Sequence, residues 1–569
     1  MLGEPTPARL RDRPWVARTA WTLAAGVPLA FLVVFFALPV VAMVGRGFVV
    51  DGAVDLTGFT EVFSRPRTWR VVGLTLLQAT LATVLCVLLG VPGAHTLYRA
   101  RAFRGRAALR AFVTVPFVLP TVVVGVAFRA LLQPSGPLGF LGLDHTLTAI
   151  VAALVFFNYS VVVRSVGGLW ERLDPRAVQA ARALGASPLR AFFTVTLPAL
   201  APAVASAASL VFLFSATSFG TVLVLGGTRF GTVETEIWVQ TTQYLNLRAA
   251  AVLSVTQLVV VAGVLAVVAR TQASRERALP MIEPGRREPD AAGEPGSRVV
   301  TVAAATVTGA VVVAVAMPLV ALVLRSLRVG DGWGLDHYVA LAAPARGLGV
   351  SALEAAVTSV RVAVDATLIA LLVGGLLALV LSRRPARPGA RRALAGLDGL
   401  VMLPLGVSAV TVGFGLLLTM ARPFGLDVDL RTSPLLLPVA QATVAVPLVV
   451  RTVLPVLRAI DPRQREAAAT LGAGPGRVLA TVDAPAGLRA LGLAAGFAFA
   501  ASLGEFGATS FLVRPNDPTL PVVVFRLIGR PGLDAAGQAT AAAVLLAVLS
   551  AVAVAVFERL RSRTVGAQW

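Results

Sequence analysis

An ion in hydrocarbon is costly, so a charged residue inside an apolar run persists where it is used or paired. Glu505 sits in AASLGEFGATS, within such a run, and Ser218 stands at the matching place 287 residues earlier. A carboxylate there suits a cationic solute, and it equally suits a hydrogen bond within a helix bundle or near its outer mouth. Ser215 and Ser502 recur at equivalent positions and read either as lining a solute path or as packing residues at helix contacts. Arg361 and Asp365 are spaced to pair on one helix face. Arg164 and Arg451 also recur, near span ends, where they snorkel or brace the loop that follows.

Nothing else in the chain is reactive. Cys86 has no partner for a disulfide, and His95, His145 and His337 are too scattered for metal-ligand spacing. There is no nucleophile–base pair and no carboxylate dyad. All 50 basic residues are arginine, and a phosphate-binding P-loop needs its lysine, so the chain is not expected to hydrolyse ATP itself. The net charge of +21 would suit nucleic acid, but the arginines cluster in short segments between apolar runs. That placement orients a membrane protein.

The elements that must hold these residues are membrane spans. The 569 residues are 57% apolar, with a mean hydropathy of +0.82. A crossing helix needs about 20 apolar residues. Runs of that kind fall at 20–45, 71–98, 108–133, 146–168, 199–225 and 247–270, then at 299–324, 353–382, 393–420, 433–457, 487–512 and 538–558. The expected fold is all-α and polytopic, with about twelve spans. The first run is read as an uncleaved helix rather than a signal peptide. Arginine-rich segments alternate with poorer ones, which places both termini on the cytoplasmic side.

Six spans fall in 1–270 and six in 299–569, joined by a polar segment at 271–298 read as a cytoplasmic linker. The halves repeat in parallel. Asp174-Pro175-Arg176 matches Asp461-Pro462-Arg463, Gly185 matches Gly472, and Pro198 matches Pro485. Both copies lie in polar cytoplasmic loops, 171–198 and 458–485. Asp174 and Asp461 cap a helix, with proline preset for its first turn. Ala177, Ala180, Ala181 and Leu184 share one face, as do Ala467, Ala468 and Leu471; Gly185 and Gly472 then stop each helix. Alanines grip lipid poorly but let another protein's surface approach, so the helix reads as a docking element rather than an interfacial one.

These loops carry a family resemblance. Glu466-Ala467-Ala468-Ala469-Thr470-Leu471-Gly472 resembles the E-A-A-x-x-x-G coupling motif of ATP-binding cassette (ABC) importer permeases, and Gln179-Ala180-Ala181-Arg182-Ala183-Leu184-Gly185 departs from it at the first position. The resemblance implies a type I permease fold and a bacterial cytoplasmic (inner) membrane location. It also implies two copies of a cytoplasmic ATPase that bind ATP and Mg, and an extracytoplasmic solute-binding protein. Within it, Ser218–Tyr244 and Ser502–Arg530 resemble the fused thiamine type, with ferric iron as the alternative cargo. Glu234 and Glu236, in an outer segment, are read as a solvated loop face, with contact to the binding protein as the second reading. A secondary transporter driven by an ion gradient is the contrasting class, and it would have no need of duplicated docking loops.

Overall fold

The computed structural model describes residues 14–50, 52–100, 103–227, 229–273, 297–344, 349–383 and 388–566. Most of the expected linker, 274–296, lies outside them. In the first half the main helices are α1 (Trp21–Phe48), α2 (Pro66–Arg99), α3 (Arg106–Val118), α4 (Thr121–Leu132) and α5 (Leu147–Trp170). They continue as α6 (Arg176–Ala183), α7 (Pro188–Ala216), α8 (Gly220–Leu225), α9 (Val233–Thr242) and α10 (Leu247–Ala273). The second half runs α11 (Ser297–Leu327), α12 (Ala352–Leu381), α13 (Pro388–Gly406), α14 (Ala409–Thr419) and α15 (Leu436–Arg458). Then come α16 (Pro462–Thr470), α17 (Pro475–Leu503), α18 (Thr509–Leu512), α19 (Leu520–Ile528) and α20 (Leu533–Gly566).

Among the described residues ten helices are long and apolar enough to cross a membrane, or twelve when each of two bent pairs counts as one span. The spans expected at 108–133 and 393–420 are the bent pairs: α3 meets α4 at 104°, and the equivalent pair in the second half bends by 97°. Pro120 pushes Leu119 into an extended conformation (ψ 139°), which ends α3 at Val118. The eleventh run is interrupted too. Helix α17 stops at Leu503 and α18 starts afresh at Thr509, so Glu505 lies in a break rather than inside a span. In the first half the same break separates α7 from α8 and holds Ser218.

Among the described residues the strands are two ladders of two residues each, Val49–Val50 with Ala53–Val54 and Arg328–Val329 with Gly332–Trp333. Each follows the first long helix of its half.

The compact units exchange helices between the halves. One contains 47–343 and 523–547; the other contains 1–46, 344–522 and 548–569. In the first, Val311 and Val315 of α11 are buried in a cluster with Ala82, Leu154 and Phe156 from the first half, and Thr308 bonds Thr96 at 3.1 Å. In the second, Leu32 of α1 is buried with Ala366, Val446 and Ala494. The repeat boundaries describe the duplication, whereas packing hands the leading helix of each half to the other bundle.

Within each unit the same close approach recurs. A Cβ on Gly90 of α2 would stand 2.7 Å from the Val162 Cβ of α5, and one on Gly374 of α12 would stand 2.8 Å from the Val449 Cβ of α15. The bare backbone lets these helices touch, which is how helices associate where lipid removes the hydrophobic drive.

Candidate functional site

The two motif helices are built alike. Asp174 Oδ1 accepts the Arg176 N–H at 2.9 Å, and Asp461 Oδ1 accepts the Arg463 N–H at 2.9 Å. These contacts satisfy amide donors that the first turn leaves open. At the other end Gly185 (φ 86°) and Gly472 (φ 80°) take the left-handed conformation. The turn then closes through Ala186 N–H to the Ala181 carbonyl at 3.1 Å and Ala473 N–H to the Ala468 carbonyl at 3.0 Å. Both helices thus stop where the sequence places them; the second starts there too, and the first starts one residue later, at Arg176.

Neither α6 nor α16 buries a residue. Gln179, Ala180, Glu466 and Ala467 are exposed, while Ala181 and Ala468 are half-buried. Leu184 and Leu471, at matching positions just before the glycines, are 89% and 88% exposed. Each helix therefore presents an apolar tip on a face of small residues, with nothing among the described residues covering it.

What braces each helix differs. In the second half, Asp483 is 2% exposed and lies in the π-helical turn that opens α17. Its Oδ1 accepts Arg465 Nε at 2.9 Å and Arg465 Nη2 at 2.8 Å, and its Oδ2 accepts Arg383 Nη2 at 2.8 Å. Arg465 also reaches the Leu457 carbonyl at 3.2 Å, and Arg383 lies over the Trp21 ring at 4.9 Å. A buried carboxylate held by two guanidiniums so ties α16 to the ends of α12, α15 and α17. In the first half, Thr196 and Val178 occupy the positions of Asp483 and Arg465. Beside that loop the first half packs rings instead: Trp170 lies against His95 at 5.4 Å and against Phe192 at 6.0 Å between ring centroids. Leu457 and Leu479 replace Trp170 and Phe192 in the second copy. The swap of Thr196 for Asp483 is visible in sequence, but its arginine partners are identified only by the fold.

The residues proposed for a solute path are all engaged in packing or hydrogen bonds. Ser215 is fully buried, and its Oγ accepts Asn158 Nδ2 of α5 at 3.3 Å. Ser502 donates to Gln441 Oε1 of α15. From there Gln441 Nε2 donates to Thr509 Oγ1 at 3.0 Å, and Thr509 Oγ1 donates to Glu505 Oε2 at 2.6 Å. Glu505 also accepts the Ala508 and Thr509 N–H groups at 2.8 and 3.0 Å, which caps α18. Ser218 is buried beside its own break.

Two expectations are corrected. Arg361 pairs with Asp517 at 2.9 Å instead of Asp365. Helical side chains tilt toward the helix N-terminus, which carries this guanidinium away from a carboxylate one turn further on. Glu234 and Glu236 are not a solvated face; both are buried within α9. Glu236 accepts Arg67 Nε and Nη2 at 3.0 and 2.9 Å and Gln240 Nε2 at 2.8 Å. A polar stretch reads as a loop until its partners are known. Arg164 and Arg451 are exposed on α5 and α15.

Comparison with known proteins agrees with this architecture. Residues 86–329 match the family model described as binding-protein-dependent transport system inner membrane component. The chain is 36% identical over 252 residues to the molybdenum transport system permease protein ModB of Mycobacterium tuberculosis, covering 42% of this chain and 90% of that protein. It is 33% identical over 213 residues to the sulfate transport system permease protein CysT of Salmonella typhimurium, covering 36% and 75%. The thiamine transport system permease protein ThiP of Brucella abortus is 26% identical over 552 residues, covering 93% and 94%. With its all-helical, multi-pass fold, the chain belongs to the binding-protein-dependent inner membrane components, the permease subunits of ABC importers.

Proposed function

We propose that this chain forms a whole import pore by itself, both permease halves fused, and that two copies of a cytoplasmic ATPase drive it. ATP and Mg sit on those partners, and an extracytoplasmic binding protein delivers a small solute. The observation that carries this reading is the pair of capped helices with bare leucine tips, α6 and α16. Each tip is an apolar knob of the kind that fills a partner's groove. Closure of the ATPase pair draws the two helices together, and the braces behind them pass that movement to the spans. Both termini then lie on the ATPase side.

Thiamine is the first reading of the cargo, because the resemblance to ThiP runs the length of both chains and includes the fusion. Ferric iron remains the second reading from the sequence resemblance. Relatives named for molybdenum and sulfate are closer in identity but match less than half of this chain, which adds oxyanions to the solutes to be tried.

Deleting residues 467–472 tests the mechanism. ATPase capture and solute uptake are expected to be lost together. Uptake that survives the deletion but collapses with a proton uncoupler means a secondary transporter instead. For the cargo, the complex is reconstituted with its binding protein, and thiamine is expected to stimulate ATP hydrolysis. Stimulation by ferric iron, molybdate or sulfate, with none by thiamine, replaces that assignment.

A further inference from the structure

A cavity of about 350 Å³ lies where the C-terminal ends of α4 and α11 meet the turn between α19 and α20. Three arginines line it, each from a different element: Arg129 from α4, Arg325 from α11 and Arg530 from the turn. Gln133, Ser135 and Thr540 add neutral donors, and no carboxylate is among the lining residues. Asp534 instead lines a smaller adjoining cavity of about 30 Å³, where Arg325 reappears beside Arg328 and His337. Arg129 also makes a long contact of 3.5 Å to the Ile528 carbonyl, which holds it at the cavity wall.

A helix C-terminus favours a basic side chain, and that accounts separately for Arg129 and Arg325. It does not account for their convergence with Arg530 on one space. Three cationic side chains from three elements share one space whose lining residues include no acid. A guanidinium presents parallel N–H donors that match two oxygens of a tetrahedral oxyanion, and hydroxyl and amide donors complete such a shell. On the sidedness read from the arginines, all three residues lie at the outer ends of their elements.

We propose that this cavity is a binding site for a tetrahedral oxyanion group, sulfate-like or phosphate-like. Two sources offer that chemistry: a free oxyanion entering from the outer medium, or the phosphate of an anionic lipid headgroup. Only the free-solute source rests on the importer reading.

The test uses the full chain in complex with its ATPase. In the first arm, sulfate, phosphate and molybdate are titrated by calorimetry in detergent. In the second, native mass spectrometry compares retention of phosphatidylglycerol and phosphatidylcholine from nanodiscs holding both. Saturable binding of an inorganic oxyanion, or selective retention of phosphatidylglycerol, is expected, and the arm that responds identifies the source. The double variant Arg129→Gln, Arg325→Gln is expected to weaken that binding roughly tenfold or more. Arg530→Gln serves as the second variant if the double one unfolds early. Absence of both kinds of binding in the wild-type complex, or binding that none of these variants weakens, overturns the site. Capture of the ATPase is followed in the same samples: intact capture without anion binding sinks the cavity alone, whereas lost capture counts against the importer reading.

Discussion

Arg465, on the second motif helix, and Asp483, at the mouth of the next span, meet through two hydrogen bonds of 2.9 and 2.8 Å. Arg383 holds the other carboxylate oxygen at 2.8 Å, and Asp483 is 2% exposed, so the negative charge is enclosed by its two partners. The pair links the cytoplasmic helix to the bundle by charge, where the first copy has Val178 and Thr196 at the matching positions.

Breaking this link is expected to loosen only one of the two helices. Asp483→Ala leaves two guanidiniums without their counter-charge, a change that costs about 3–5 kcal/mol for a buried pair. Hydrogen exchange should rise across 460–485 and stay unchanged across 173–198. A double-mutant cycle with Arg465→Met should recover part of the loss, because the two residues act as one unit. Equal exchange gains in both loops would contradict separate bracing.

Leu184 and Leu471 offer a cleaner separation of docking from folding. Each is almost fully exposed, so Leu→Glu at either position should change the permease's own stability by less than about 0.5 kcal/mol. Burying a leucine side chain contributes about 1.5–3 kcal/mol, so ATPase capture should weaken by roughly tenfold to a hundredfold. Capture that is unchanged in both variants removes these tips from the interface.

The glycine contacts predict symmetric packing defects. Gly90→Ala and Gly374→Ala each drive a methyl against a valine Cβ less than 3 Å away, and each should destabilise its bundle by about 1–3 kcal/mol. Thermal unfolding in detergent reads the loss. Val162→Gly, which removes the Cβ itself, should relieve the clash of Gly90→Ala and leave that of Gly374→Ala untouched.

Asp55 gives the outer segment between α1 and α2 its own acid limit. Hydrogen bonds from the Thr57 hydroxyl and N–H, then from Arg248, hold its carboxyl down to about 2. The Arg248 ion pair measures 2.8 Å. A carboxylate whose value falls on folding adds stability that is complete above its unfolded value, about 3.9, and is lost as pH drops through the folded one. Asp55→Asn should therefore unfold earlier than wild type at pH 7, with the difference shrinking between about pH 4 and pH 2. A gap that persists undiminished at pH 2 would show that the charge is irrelevant.

The sequence by itself determined what local chemistry can encode. Span length and apolarity identified the membrane helices, because the hydrocarbon thickness is fixed. Asp174, Asp461, Gly185 and Gly472 marked both ends of the motif helices, since capping needs only neighbours along the chain. Matching residues 287 apart revealed the duplication. Tertiary structure decided everything that depends on distant partners. It broke the third span of each half and moved Glu505 into a cap. It buried Glu236 against Arg67, 169 residues away, and turned Arg361 toward Asp517, 156 residues away. It exchanged α1 and α11 between bundles, brought Arg383 to Asp483, and gathered Arg129, Arg325 and Arg530 around one cavity. A cap is a relation over three or four residues and can be read in a line of text. A counter-charge is a relation in space, and only the packed chain says which one is near.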